Sequence, residues 1–484
     1  MPIPRRDCRS RWIPRSARLA CVGLSLCAWL ATGGARAAAA TASPAAVDVT
    51  ALRDGPQIQE FVIGVRSLER SLGAFTDVLR WRVLERGRAD ASVARAWGLP
   101  VDTPIQQALV GNAASRYGFV RLVEIGVAQR LPVRPGARWW DTGGMFNLNV
   151  LVRDLDATVD GLRMLGWTAR SEPAAYGQEG SVRGRSMIMV GPDDLVLSFQ
   201  QRLSPPLTGW PPFEGASHIE VGYQVVRDLD AWLALYTTQL GLPLDGRVRT
   251  DRNPRPIGPN AFGLPENAVG WTDSRQANVA LRRDHEQSFG VRQFSRATGQ
   301  DFSARARPPN LGITNVRIPV ANLVALRARL VAAGIEIASD LQVVRLSPYG
   351  TVRALNVRSP GGSGLWLELF EPGAEPMSET ELREFTRRGR FATWRRFNNE
   401  LAGSTWWYPD GSARLQWNSG ESAERGTWTI KGNTVCTAWA RLRSNRELCV
   451  QHYRLHDDVT QSFRVEGGGP DGVYAWHSAG EGMP

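Results

Sequence analysis

Histidine and cysteine are scarce in this sequence, and several common catalytic motifs are missing. The 484 residues contain five histidines and five cysteines. There is no GxSxG turn, HExxH helix or glycine-rich phosphate-binding loop, so the usual motifs for serine, zinc or P-loop hydrolysis give no support to such an activity. After residue 37, no stretch reaches the roughly 18 consecutive apolar residues of a membrane-spanning helix.

Positive charge is also scarcer than the net charge of +11 suggests. The first 37 residues hold seven of the 58 basic residues and one of the 47 acidic ones, which leaves +5 for the remainder. A nucleic-acid partner is therefore not expected. The apolar fraction of 43% and the 18 tryptophans instead indicate packed cores, and the length suggests about three domains.

Residues 1–37 have the pattern of an export signal. Six arginines precede the apolar run Leu19–Ala31, and the small residues Ala35–Ala37 suit a signal peptidase. We expect cleavage near Ala37, a flexible linker over 38–55 and a periplasmic or secreted protein; an uncleaved anchor is the alternative. Cleavage leaves only Cys436 and Cys449, which predicts a disulfide, with two buried thiols as the alternative.

The hexapeptide VRDLDA occurs twice, at Val152–Ala157 and Val226–Ala231. In each copy a strand-like apolar run comes first, an Asp stands where a helix would begin, and a glycine follows the helical spacing. Two degenerate copies contain Val65 and Val320. The expected helix caps are Ser67, Asp154, Asp228 and Asn322, and the expected helix-ending residues are Arg80, Gly166, Gly241 and Gly334. Strand-like runs follow each helix, so the sequence predicts four βαβββ modules.

This repeat resembles the vicinal oxygen chelate superfamily, which includes glyoxalases, extradiol dioxygenases and bleomycin-resistance proteins. The resemblance covers Ile58 to Pro372 and implies an α+β fold in which paired modules form two curved mixed sheets. In sequence order we expect one domain over 56–203, a proline-rich linker over 204–214 and a second domain over 215–372. The sequence alone does not decide which modules pair. The expected last strands of the modules are Tyr117–Ile125, Asp193–Gln201, Ala277–Asp284 and Gly364–Pro372.

The resemblance also implies positions for metal ligands, with a His on the first strand of a module and a Glu on the last. Those positions hold Glu60, Asn147, Val221 and Asn315 on first strands, and Arg121, Ser198, Arg282 and Glu368 on last strands. None is His, so we expect no metal cofactor. A divalent metal held by Glu60, Glu368 and His218 is the alternative. Pairing of the first and fourth modules would unite Glu60 with Glu368, but also with Arg121, and a carboxylate beside a guanidinium favours an ion pair.

We therefore expect a protein that binds a small organic, anionic molecule in a cavity without the family metal. The candidate ligand contacts are Glu60, Arg121, Asn147, Ser198, Arg282, Asn315 and Glu368. Arg121 and Arg282 suit an anionic or carbonyl group, or else they reach solvent at a sheet edge. The alternatives are a metal-dependent lyase, isomerase or dioxygenase, and an envelope interaction protein that uses its C-terminal domain.

The sequence changes character after Pro372. A capping box at Ser378–Glu381 begins an arginine-rich segment, expected as a connecting helix over 373–402, which is either solvated or in weak contact with an anionic envelope surface. Short strands over 403–476 predict a small disulfide-linked antiparallel sheet or barrel whose opening faintly resembles lipocalins. Four of its tryptophans either line a sugar or apolar site or form the core: Trp406, Trp407, Trp417 and Trp428.

Overall fold

The computed structural model describes residues 57–169, 172–177, 182–252, 272–282, 286–297, 299–396, 402–420, 423–442, 446–456, 459–465 and 473–479. The predicted export signal and the linker over 38–55 lie outside the described residues. Within the described ranges, no helix is both long and apolar enough to cross a membrane.

The four predicted modules are present, and each helix begins at its predicted cap. The Asp154 carboxylate accepts a hydrogen bond from the Ala157 amide at 3.0 Å, and Asp228 accepts two such bonds. Ser67 and Asn322 cap the other two helices in the same way. Arg80, Gly166, Gly241 and Gly334 follow the helices with positive φ angles of 57°, 83°, 70° and 69°. At the first helix an arginine therefore adopts the left-handed conformation that glycine provides elsewhere.

The first and fourth modules form one eight-stranded sheet, here called sheet one. Its strand order is β15-β16-β17-β14-β1-β4-β3-β2. Module one comprises β1 Glu60–Gly64, α1 Leu68–Gly73 with a π-helical turn at Ala74–Val78, β2 Arg82–Arg88, α2 Ala91–Ala96, β3 Ile105–Gly111 and β4 Phe119–Ile125. Module four comprises β14 Gly312–Pro319, α5 Leu323–Ala332, β15 Ile337–Leu346, β16 Gly350–Arg358 and β17 Trp366–Pro372, after a 3₁₀ turn at Ser303–Arg305.

The second and third modules form sheet two. Its order is β11-β12-β13-β10-β5-β9-β8-β6, with β7 also paired to β8. Module two comprises β5 Met145–Leu151, α3 Leu155–Met164, β6 Thr168–Ala169, β7 Ala174–Tyr176, β8 Arg183–Val190, a 3₁₀ turn at Pro192–Asp194 and β9 Val196–Ser204. Module three comprises β10 Val221–Val225, α4 Leu229–Leu233 with a π-helical turn at Ala234–Gln239, β11 Leu244–Arg252, β12 Asp273–Ala280 and β13 Ser288–Phe294. The largest cluster of buried apolar side chains joins both sheets to the module helices.

This pairing differs from the expected division into 56–203 and 215–372. Strand β1 pairs antiparallel with β14, so Glu60 lies opposite Arg317, and β5 pairs with β10, so Asn147 lies opposite Tyr223. A buried carboxylate needs a compensating charge, and this pairing places Arg317 of module four beside Glu60 as a second guanidinium. Sequence order therefore does not define the two sheets.

The last strand of module three also differs from the expectation. Ala277–Asp284 was expected to end the module, but Asp273–Ala280 is its third strand and Ser288–Phe294 its last. The expected range overlaps the end of the third strand and stops before the last strand begins. Arg282 consequently lies beyond β12, and Arg292 is the arginine on the last strand.

The C-terminal part is a closed eight-stranded barrel in which consecutive strands are neighbours. The capping box is present, with Ser378 and Glu381 bonded reciprocally, but helix α6 is shorter than the segment expected over 373–402. The second half of that segment forms the first barrel strand, because Gly389 at φ 72° ends the helical region. The barrel elements are α6 Glu379–Thr386, β18 Arg390–Arg396, β19 Ala402–Trp407, β20 Ser412–Trp417, β21 Glu424–Lys431, β22 Thr434–Trp439, β23 Leu448–His456, β24 Val459–Arg464 and β25 Val473–Ala479.

A disulfide joins Cys436 and Cys449, which face each other on β22 and β23. The predicted bridge is confirmed. It links two adjacent barrel strands at a directly opposed pair.

Candidate functional site

Four charged side chains meet on one face of sheet one, on the first and last strands of modules one and four. Glu60 binds Arg121 through two parallel hydrogen bonds, both of 2.7 Å. Arg317 donates to Glu60 at 2.8 Å and to Glu368 at 3.1 Å. All four side chains are fully buried. Glu60, Arg121, Arg317 and Glu368 thus form a continuous chain of ion pairs, here called the charge network.

Side chains and a backbone carbonyl around the charge network form further hydrogen bonds with its members. The Tyr349 hydroxyl donates to Glu60 at 2.6 Å, and the Asn315 amide donates to Glu368 at 2.7 Å. Arg121 donates further to Glu85 at 2.9 Å and to the Ser347 carbonyl at 2.8 Å. Both carboxylate oxygens of Glu60 therefore accept two hydrogen bonds each.

The charge network fixes its own protonation state. Burial acts to raise the pKa of Glu60, but Arg121 and Arg317 outweigh burial and lower it to about 2. Burial acts to lower the pKa of Arg121, and Glu60 outweighs that effect so that the pKa is raised. Burial and the Glu60 charge hold the pKa of Tyr349 well above its ordinary value, so its hydroxyl remains a donor.

These residues do not fit a divalent metal. Guanidinium groups stand at two of the four positions, and the Glu60 oxygens are already occupied by four donors. A cation placed there would meet two fixed positive charges, and a single carboxylate oxygen of Glu368 would be left to bind it, fewer ligands than a divalent metal site needs. Of the predicted contacts, the structure brings together Glu60, Arg121, Asn315 and Glu368, and the sequence reasoning missed Arg317.

The corresponding face of sheet two is filled by aromatic side chains. Trp139 stacks on Phe146 with ring centroids 4.4 Å apart, and Arg292 lies over Trp139 at 5.5 Å. Asn147 is buried and donates to Asn149 at 2.6 Å, while Ser198 is the buried strand neighbour of Asn149. The predicted positions Asn147 and Ser198 are thus close to each other, whereas Val221 is half-buried and Arg282 lies outside the strand.

His218, the outside metal candidate, is fully buried in a different environment. Its Nδ1 atom lies 3.1 Å from the Ser115 hydroxyl and its Nε2 atom 3.2 Å from a Glu286 carboxylate oxygen. Trp210 stacks on the ring with centroids 5.2 Å apart. The contacts of His218 in the described structure include neither Glu60 nor Glu368.

Each sheet consists of two paired βαβββ modules. The first and last strands of both modules lie at the centre of the sheet. In this arrangement the two sheets resemble the vicinal oxygen chelate fold. Glyoxalase I from Zea mays is similar in structure, with 14% identity, a TM-score of 0.43 and coverage of 65% of this chain and 92% of that one. A triple mutant of 4-hydroxymandelate synthase from Streptomyces coelicolor matches with 13% identity and a TM-score of 0.24, covering 67% and 94%.

A glyoxylase/bleomycin resistance protein/dioxygenase domain from Frankia sp. matches at 19% identity and a TM-score of 0.21, covering 31% of this chain and 92% of that one. At such low identity the named activities remain properties of those proteins. No protein-family model and no curated protein sequence matches the chain.

The barrel that follows the two sheets contains a cavity of about 310 Å³. Inward-facing side chains of alternating strand positions form its walls, as expected for a small closed barrel. Most of the lining is apolar, and the described lining residues include no Asp or Glu. The lining residues are Ala392, Trp394, Arg396, Thr405, Trp407, Leu415, Trp417, Thr437, Trp439, Leu442, Leu448, Val450, His452, Ser462, Arg464 and Ala475.

The two ends of this cavity differ. At one end, the strand termini present Arg396, Trp417 and Arg464, here called the mouth. At the other end, here called the floor, His452 and Trp407 lie with ring centroids 5.6 Å apart. Below them, Phe385 of helix α6 packs edge-on against His477 at 4.8 Å, so the helix covers this end.

Two of the four tryptophans singled out in the sequence line this cavity. Trp407 and Trp417 line the cavity, whereas Trp406 packs against Phe391 at 5.0 Å and Trp428 donates to the Tyr408 carbonyl at 2.9 Å. Trp394 and Trp439 were not singled out, although both stand at alternating positions of their strands, and the buried residue His452 was also missed.

Proposed function

We propose that this protein binds a small, mainly apolar organic molecule in the cavity of its C-terminal barrel. The observation that supports the proposal is the cavity itself, about 310 Å³ in volume and walled by four tryptophans. Eight-stranded barrels have an interior of the size that holds one small ligand, and ligand sites are mostly apolar with a few placed polar groups. The proposal keeps the expected small-molecule ligand but moves its binding site from the module sheets to the barrel.

The vicinal oxygen chelate sheets serve, in this proposal, as a metal-free framework. The charge network supports this role, because both Glu60 oxygens are occupied by Arg121, Arg317 and Tyr349 of the same chain. The disulfide and the arginine-rich, apolar leader support export to an oxidising compartment such as the periplasm. Metal analysis of the purified protein addresses the rival enzyme: stoichiometric zinc, iron, nickel or manganese bound at Glu60 or Glu368 would contradict a metal-free framework.

Binding is tested with N-phenyl-1-naphthylamine, a probe whose fluorescence rises in apolar surroundings. Wild-type protein should bind one probe per chain. Trp417→Ala should weaken binding about tenfold or more, since loss of a buried aromatic contact costs roughly 1.5–3 kcal/mol. The matched control is Trp406→Ala, which alters a neighbouring tryptophan outside the cavity and should leave the affinity unchanged. Equal effects of the two substitutions would count against the barrel as the site.

A further inference from the structure

The floor of the barrel cavity carries a polar group that is only half satisfied. His452 lies on β23, is 3% exposed and lines the cavity. Its Nδ1 atom is 2.7 Å from the Ser462 hydroxyl on β24. Its Nε2 atom has no hydrogen-bond partner among the described residues. A buried polar atom without a partner costs free energy, so a partner from outside the chain is implied.

The hydroxyl of Ser462 determines which imidazole nitrogen carries the proton. Its hydrogen needs an acceptor, and we assign Nδ1 of His452, 2.7 Å away, as that acceptor. Burial lowers the pKa of His452 to about 4, so the ring is neutral near pH 7 and holds a single N–H. With Nδ1 accepting, that hydrogen is on Nε2. The unsatisfied atom at the floor is therefore a donor.

His477, which lies below the floor, has a similar hydrogen-bonding arrangement. The Thr460 hydroxyl lies 2.7 Å from Nε2 of His477, and Nδ1 of His477 has no partner among the described residues. The same reasoning places the His477 hydrogen on Nδ1. The rings of His452 and His477 are 6.4 Å apart, so two imidazole N–H groups without a partner among the described residues lie at this end of the barrel.

The mouth, like the floor, favours a ligand group that is negatively charged or accepts hydrogen bonds. Arg396 and Arg464 line it, and the described lining contains no carboxylate. Donors at one end and positive charge at the other favour a ligand with acceptor oxygens over one with ammonium or other donor groups.

We propose that the bound molecule presents a carbonyl or carboxylate oxygen to the Nε2–H donor of His452, with its apolar body against the tryptophan walls. This inference rests on the proposed binding of a small molecule in the barrel. It adds the chemical class of that molecule: an apolar or aromatic compound that carries a carbonyl or carboxylate group.

The test compares two probes of nearly the same shape, 2-acetylnaphthalene and 2-isopropenylnaphthalene, which differ in a C=O or C=CH₂ group. Wild-type protein should bind the ketone about tenfold more tightly, because only the ketone accepts the hydrogen bond. His452→Phe should remove the preference by weakening ketone binding, and Trp406→Phe should keep it. A third probe, 2-naphthoate, separates carboxylate from carbonyl: tighter binding than the ketone, lost at high salt, assigns the carboxylate.

The outcomes distinguish this inference from the proposed function. If none of the probes binds, the barrel is not a ligand site and both proposals are overturned. Equal affinity of the wild type for the ketone and the hydrocarbon would mean that a water or no group satisfies His452, and would overturn this inference alone. The wild-type comparison needs no substitution, so it stands even where a variant folds poorly.

Discussion

At the scale of single residues, the main feature is a set of charges buried where an apolar core would be expected. Glu60, Arg121, Arg317 and Glu368 are fully buried, and they are linked to one another by ion pairs. Such a network adds little net stability compared with apolar side chains of the same volume, but loss of one member leaves an uncompensated buried charge. The four residues therefore depend on one another.

Arg121→Met should destabilise the protein by about 3–5 kcal/mol, because Glu60 loses its bidentate partner while remaining buried. The lowered pKa of Glu60 stabilises the folded state above the unfolded value near 4.5, and this stabilisation disappears as the pH falls toward about 2. The difference in the free energy of unfolding between wild type and variant should therefore be largest near neutral pH and should become smaller below pH 4.5. Urea unfolding at a series of pH values measures it.

Arg185→Met is the matched control, since Arg185 forms a bidentate pair with exposed Asp156. It should leave the stability nearly unchanged, because exposed ion pairs are worth little. An equally small effect of Arg121→Met would show that the charge network is not rigidly buried.

At the scale of secondary-structure elements, the repeated hexapeptide marks the corner between the first strand and the helix of a module. Asp154 and Asp228 occupy the same position in two modules and accept the first-turn amides of α3 and α4. Capping depends on neighbours within three residues, so it is encoded locally.

Asp154→Ala and Asp228→Ala should each lower the free energy of unfolding by about 1 kcal/mol, since each removes a helix cap. The two losses should be additive, because the helices belong to different modules. Asp160→Ala, on the exposed face of α3, is the control and should change little. Thermal or urea unfolding gives the values, and a loss no larger than that of the control would argue against the capping role.

Local patterns predicted the modules, all four caps, an antiparallel sheet or barrel at the C-terminus and the disulfide, because each depends on nearby residues or on strand alternation. The contact between modules was not predicted, since Glu60 and Arg317 are 257 positions apart and no local periodicity links them. Arg317 was missed because the ligand position on the fourth module was assigned to Asn315, which lies two residues earlier on the same face of β14.

At the scale of the whole molecule, the pairing of modules is nested: the second and third are joined inside the pairing of the first and fourth. The barrel is held to sheet one as well, because the Gln461 side chain accepts from the Val343 amide at 2.6 Å and donates to the Val343 carbonyl at 3.2 Å. The proline-rich linker therefore connects two strands of sheet two, β9 and β10, and each of the two sheets needs both halves of the chain.

A protease site inserted between the exposed residues Thr208 and Gly209 should yield a nicked protein that stays together. Each half contributes half of both sheets, so separation would expose the edges of β1 and β5 and open the buried charge network. After complete cleavage, the fragments should elute as one species in size-exclusion chromatography and separate only in denaturant. Two independent fragments under native conditions would contradict the nested pairing.

The nested pairing also sets an order in time. A chain that emerges from its amino end has β1 complete long before Arg317 of β14 is present, and at roughly 5–20 residues per second the wait is about 10–50 seconds. Until then, one edge of β1 is unpaired and Glu60 has only its nearer guanidinium, Arg121. The middle modules can close first and carry the two outer ones toward each other. The Glu60 carboxylate then waits for a guanidinium made 257 positions later, and β15, β16 and β17 of the same sheet are made later still.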